Sequence, residues 1–291
     1  MSYKGPETLD VISRGIEQWK FVPRARVEYL LDPVNPSIKI PRIFIPSREG
    51  APRRSPVVIL KEAGHHEEPS GFWTLSDPKK TLPIIDQYLD RCSFVFYPLT
   101  NLYGPHNLNA YGVWHPEHSR KPLKEREDVS RRNENGINYN DGWGIQFTPE
   151  QKTHEGAIIE RDTDMLMAKY DIVLGVSQHE DSFAPGRGYI WLNGEPLVGQ
   201  RQKIQEAMYQ RWHGLFYHPS FGSTGQGSAS DAIEWDRFVA VDSRDDGSWE
   251  TYLNDQGIPT VLSEAPYGGR LDDRILFHQL ALAASLDVAL Q

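Results

Sequence analysis

The sequence predicts an α/β fold with a largely parallel sheet. Strand-like apolar runs alternate with helical patterns along the 291 residues, and three of those runs end on clusters of His, Glu and Asp. In open α/β sheets, ligands bind outside the carboxyl ends of the strands, so these three ends mark one candidate site. No linker, repeat or low-complexity tract interrupts the chain, and the expectation is one domain over residues 1–291.

The elements follow in order. "ARVEYLLD" and "IKIPRIFIP" read as two strands whose alternation suggests a sheet edge, where Pro41 is best tolerated. "SPVVILKEAG" is a β-branched run that reads as a buried strand emptying into "HHEEPSG", a loop closed by a Pro-Ser-Gly turn. "DPKKTLPIIDQYLDR" suits a helix and "CSFVFYPLT" a strand. Residues 101–144 lack periodicity but contain Tyr103, Tyr111, Trp114, Tyr139 and Trp143, so they read as ordered and functional. "DTDMLMAKY" is helical and leads into the strand "DIVLGVSQHED". "GYIWLNG" is a further strand and "LVGQRQKIQEAMYQRWHGLF" an amphipathic helix. "IPTVLSEAP" is a strand that stops at a glutamate. "LDDRILFHQLALAASLDVAL" is a closing helix, with Asp272 and Asp273 near its positive N-terminus.

Composition narrows the function. A formal charge of -9 argues against a general polyanion binder, and the short basic clusters "APRRSP" and "SRKPLKERE" read as solvated loops, so no nucleic-acid partner is expected. No window approaches the ~18 apolar residues of a membrane span, so no membrane partner is expected either. The single cysteine, Cys92, excludes an intrachain disulfide, and "MSYKGPETLD" has no apolar signal-peptide core. The expected compartment is the cytoplasm. Oligomeric state is not readable.

His65 and Glu68 form an H-x-x-E pair directly after a buried-type strand, and His179 ends another strand 111 residues beyond Glu68. Catalytic zinc takes three such ligands and keeps one position open. The alternatives are a solvated "HHEE" loop, a shifted register with His66 as ligand, and a rival pair, His115 and His118, in "HPEH".

Taken together, these segments resemble the zinc carboxypeptidase family, which includes the succinylglutamate desuccinylase and aspartoacylase branch. "VVILKEAGHHEEPSG" is similar to the first zinc motif, although here the glycine directly precedes the histidine. "SRRNENGINYNDGW" is similar to the family's Arg…Asn-Gly-Val-Asp-Leu-Asn-Arg segment. "DIVLGVSQHEDSF" is similar to the second zinc motif, in the manner of a bacterial subgroup with His-Glu-Asp. "TVLSEAP" is similar to the strand that bears the catalytic glutamate.

The resemblance implies a three-layer α/β/α sandwich with a mixed, roughly eight-stranded twisted sheet. It implies one zinc ion held by His65, Glu68 and His179, with Glu264 as general base and Arg131, or adjacent Arg132, stabilising the oxyanion. Asn140 would orient a polar group of the substrate. Asp141 stands where the family usually has a carboxylate-binding arginine, so recognition of a C-terminal carboxylate is expected to be atypical. Glu264 also reads as a salt-bridge partner for Arg270 or Arg274. Three functions follow: a zinc peptidase acting on a small peptide, an amidohydrolase acting on an N-acyl amino acid, or a non-catalytic metal-binding module.

Overall fold

The structure, a computed structural model, describes residues 9–33, 35–36, 38–50, 53–65, 68–101, 137–181, 187–212, 214–216, 235–236, 239–241, 247–267 and 269–291. It is an α/β/α sandwich about one mixed sheet. The strands are β1 (Arg26–Leu31), β2 (Lys39–Ile45), β3 (Pro56–Glu62), β4 (Ser93–Tyr97), β5 (Asp171–Asp181), β6 (Arg187–Asn193), β7 (Leu215–Phe216), β8 (Trp235–Asp236), β9 (Val239–Val241) and β10 (Thr260–Pro266). They lie in the order β1-β2-β4-β3-β5-β10-β6-β9-β8, with β7 against β6.

The centre, β4-β3-β5-β10, is parallel, while β1, β2 and β6 join antiparallel. The sheet is therefore less parallel than the alternation of elements suggests. Hairpin-like returns supply its edges.

The central strands are apolar on both faces because helices cover both. On one side lie α2 (Pro69–Ser76), α3 (Pro78–Ile85), α5 (Arg201–Tyr209) and α7 (Leu271–Ala289). They bury Leu75, Ile85, Ile204, Met208 and Phe277 against Val58, Leu60, Phe94, Phe96 and Val176. On the other side, α4 (His154–Lys169) and α6 (Trp249–Asp255) bury Ile158, Ile159, Trp249 and Leu253 against Val57, Ile59, Val95 and Ile172. A further helix, α1 (Leu9–Gln18), runs into a 3-10 turn whose Trp19 is buried and donates its Nε1–H to the Leu75 carbonyl at 3.0 Å.

Several local expectations change. Pro41 lies in the second strand, not the edge strand, yet β4 pairs with β2 only over Ile43–Ile45. At Pro41 the strand is thus paired on one side only, with Tyr29 of β1, the edge-like position a proline tolerates. Among the described residues of the expected helix over 197–216, Arg201–Tyr209 are α-helical. The helix containing "DTDMLMAKY" starts earlier, at His154, where Thr153 caps it by accepting from the Gly156 N–H at 2.9 Å.

The expected Pro-Ser-Gly turn is instead the start of α2. Pro69 suits the first helical position because its missing N–H would have no intrahelical partner. Gly71 lets α2 press onto β5. A Cβ at Gly71 would lie 2.6 Å from the Gln178 carbonyl oxygen, a backbone atom that cannot swing aside.

Helix propensity alone predicts that Gly71→Ala stabilises by ~0.5–1 kcal/mol. The overpacked contact predicts a loss of ~1–3 kcal/mol. The expected result is a lowered thermal midpoint, and a raised one would show that α2 is not seated on β5 as described.

Candidate metal centre

Three chain segments converge at the carboxyl ends of β3, β5 and β10. The first is the turn between β3 and α2. Gly64 has φ +79°, and a Cβ there would lie 3.0 Å from Tyr139 Cβ and 3.1 Å from Thr100 Oγ1, so glycine is required by conformation and by space. Buried Glu62 holds the turn from below. Its carboxylate accepts from the Gly64 N–H (2.6 Å), the Thr100 N–H (2.6 Å) and the Thr100 hydroxyl (2.5 Å). Asn101 donates its Nδ2–H to the Gly64 carbonyl at 2.8 Å. This scaffold delivers His65 and Glu68 to the end of β5, where His179 stands.

The Glu68 carboxylate lies between two imidazoles. Its Oε1 is 2.8 Å from His65 Nδ1 and its Oε2 is 3.0 Å from His179 Nδ1. The rings meet edge to face with centroids 5.3 Å apart. All three side chains are buried, and one donor atom from each lies within 4.8 Å of the others. Burial by itself would raise the Glu68 carboxyl, but His65 and His179 outweigh it and hold the group well below the usual carboxylate range. Burial pushes His179 down, while Glu68 opposes that push.

These residues could hold a metal ion. The set is two imidazoles and one carboxylate, the three-ligand composition that leaves a fourth position open. Each imidazole also keeps a buried Nε2 with no hydrogen-bond partner among the described residues.

Glu264 is placed by register. It pairs with His179 in the parallel β5–β10 ladder. The neighbouring residues of both strands, Ser263 and Glu180, contact His278 and Arg274 of α7. By strand alternation, Glu264 and His179 therefore share the opposite face. Asn140 and Asp141 lie in a turn in which Asn138 Oδ1 accepts from the Asn140 N–H (3.1 Å) and the Asn138 carbonyl accepts from the Asp141 N–H (3.0 Å). Trp143 anchors this turn in the core and donates Nε1–H to the Tyr139 carbonyl at 3.0 Å, while Tyr139 abuts Gly64. The turn is thus a wall of the site, with Asp141 exposed to solvent. Arg131, Arg132, His66, His115 and His118 lie outside the described residues.

The sequence reading missed the groups beneath the site. Glu180 is buried, accepts the Ser70 N–H at 2.7 Å and pairs with the guanidinium of Arg274. Burial raises its carboxyl and Arg274 opposes the rise. Fully buried His278 bridges the Ser70 hydroxyl (2.9 Å, Nε2) and the Ser263 hydroxyl (2.7 Å, Nδ1). Ser263 gives its own proton to the Ser177 carbonyl at 3.2 Å, so its oxygen accepts from Nδ1–H, and Nε2 accepts from Ser70. On the opposite face, buried Lys61 places its ammonium 5.8 Å and 5.5 Å from the Trp143 and Trp249 ring centroids. Lys61 and His179 hold buried Glu250 below the usual carboxylate range against the upward push of burial. The signal for these groups was charge inside apolar patterns: Lys61 in "VVILKE", and Arg274 with His278 four residues apart on one helix face.

No protein-family profile matches the chain, and no curated protein matches it by sequence. Solved structures do match. A candidate metallopeptidase from Shewanella denitrificans superposes with a TM-score of 0.67 at 16% identity, covering 98% of this chain and 91% of its own. A metallo-carboxypeptidase from Burkholderia cenocepacia gives 0.63 at 15% identity, covering 96% and 68%. A metallo-carboxypeptidase from Pseudomonas aeruginosa, in complex with (2-guanidinoethylmercapto)succinic acid, gives 0.62 at 12% identity, covering 96% and 68%. At these identities the likeness establishes the fold, which is that of the metallocarboxypeptidases.

Among the described residues, no helix is long and apolar enough to cross a membrane.

His278 supplies a test of the network. Burial first, then the nearby His179 and Arg274, lower its pKa from 6.5 to about 3. Between those values the unfolded chain binds a proton that the folded chain does not. Stability therefore falls as pH drops through this window, by on the order of 4 kcal/mol at its acid end. His278→Gln keeps a donor and an acceptor but does not titrate. Thermal unfolding of the metal-free protein from pH 7 to pH 4 should fall less steeply for this variant, and identical slopes would contradict the buried neutral imidazole.

Proposed function

We propose that this protein is a zinc-dependent hydrolase that cleaves an amide bond, most simply as a metallocarboxypeptidase with atypical recognition of the substrate's C-terminal end. The observation that carries the reading is the buried His65–Glu68–His179 set with Glu264 aligned to His179 on the same sheet face. The fold of the metallocarboxypeptidases supports it.

His65, Glu68 and His179 would hold one zinc ion. When bound, the ion supplies Lewis acidity and makes hydroxide available near neutral pH. Glu264 accepts the proton of the attacking water and returns it to the leaving amine, which makes one carboxylate first base and then acid. Arg131 or Arg132 donates to the developing oxyanion. Loss of such a donor typically costs ~2.7–4 kcal/mol of transition-state stabilisation. Asn140 orients a polar substrate group at the wall formed by residues 138–143. Asp141 disfavours a free carboxylate nearby, so the group it faces is cationic or amide-bearing.

The test uses purified protein, its zinc content and a panel of small peptides and N-acyl amino acids. Glu264→Gln should retain zinc and lose turnover by roughly 10²–10⁴-fold, the range for a general acid-base group. A fully active Glu264→Gln enzyme would overturn the assignment of the base. Hydrolysis of N-acyl amino acids with no action on peptides would move the substrate class to the amidohydrolase branch.

A further inference from the structure

The segments that bear Glu68 and His179 are joined a second time, below the site. The Glu180 N–H donates to Glu68 Oε2 at 3.1 Å. In return, Glu180 Oε1 accepts the Ser70 N–H at 2.7 Å. Residue 180 therefore gives its backbone to the side chain of residue 68 and takes the backbone of residue 70 with its own side chain. This reciprocal exchange spans 110–112 residues of sequence and fixes the start of α2 against the end of β5.

We propose that Glu180 is a positioning residue for the metal ligands, and that Arg274 holds its carboxylate in place. Ser70 lies in the first turn of α2, where N–H groups have no intrahelical acceptor. The Glu180 carboxylate supplies that acceptor. Arg274 reaches Glu180 from α7, and both side chains are almost wholly buried, so each neutralises a charge that would otherwise stand unpaired in the core. The second hold on Ser70 comes from the same helix, through His278 to the Ser70 hydroxyl. His278 continues to Ser263, the residue before Glu264. One face of α7 thus ties the Glu68, His179 and Glu264 segments together. Partners of this outer kind typically change metal affinity by 10–100-fold when removed.

The metal readout rests on the zinc-hydrolase reading, and the experiment separates the two. Removing one charge alone would leave the other buried and unpaired, so both are removed together. The variants are Glu180→Gln/Arg274→Met and Glu180→Leu/Arg274→Met. They share the methionine at position 274 and have similar volume. They differ at position 180, where glutamine keeps an acceptor for the Ser70 N–H and leucine does not. Zinc affinity is read by chelator competition, and ligand geometry by the absorption bands of the cobalt-substituted protein.

The Gln variant should bind zinc within about threefold of wild type, and the Leu variant 10–100-fold more weakly, with altered cobalt bands. Equal affinity in the two, retained or lost, overturns the positioning role. A wild-type chain that binds no zinc overturns the metal reading as well. Amide exchange at Ser70 in the wild-type chain needs no variant. Core-like protection is expected, and exchange at the rate of an open first-turn amide overturns the lock.

Discussion

The structure is organised around one shared carboxylate. Glu68 has His65 on one oxygen, His179 on the other, and the Glu180 N–H on the second as well. A buried carboxylate with no partners would be expensive, and one with this many is stable only if all of them arrive together. They come from the turn after β3 and from the end of β5, so the sheet must bring adjacent strands into a fixed stagger. The β3–β5 register does this, with Glu62 opposite Gln178, one residue before His179. Gly64 and Gly71 answer the same constraint. One turns the chain where a side chain has no room, and the other lets α2 approach β5.

Charge is distributed around this centre on both sheet faces. Toward α7, the Glu180–Arg274 pair and the neutral His278 sit beneath the ligands. Toward α6, Lys61 lies between two tryptophans and draws on Glu250. Burying ion pairs in this way seldom maximises stability. Its value here is geometric, because each charged group fixes the direction of a partner near the strand ends. Ligands held on strand ends and a helix start are more rigid than ligands on open loops.

Much of this was readable from residue order. "VVILKEAGHHEE", "VSQHED" and "VLSEAP" place chemistry directly after apolar runs, and strand ends are where an α/β sheet keeps its site. β5 emerges with the boundaries its pattern suggests, because eleven consecutive residues satisfy a central strand. α2 was illegible because Pro-Ser-Gly is turn chemistry in isolation, and only the approach to Gln178 explains a helix there. Arg274 was legible as a cation on a helix, but its partner is 94 residues away and is chosen by packing. The antiparallel edges were hidden for the same reason, since strand direction is a property of the assembled sheet.

The central claim is that His65, Glu68 and His179 form one metal site. Crystals grown with zinc, measured on both sides of the zinc absorption edge, test it most directly. The account predicts a single strong anomalous peak per chain, bonded to one nitrogen from each histidine and to the Glu68 carboxylate, at about 2.0–2.2 Å. A fully occupied zinc bound elsewhere, with the Glu68 carboxylate still bridging two metal-free imidazoles, would contradict it.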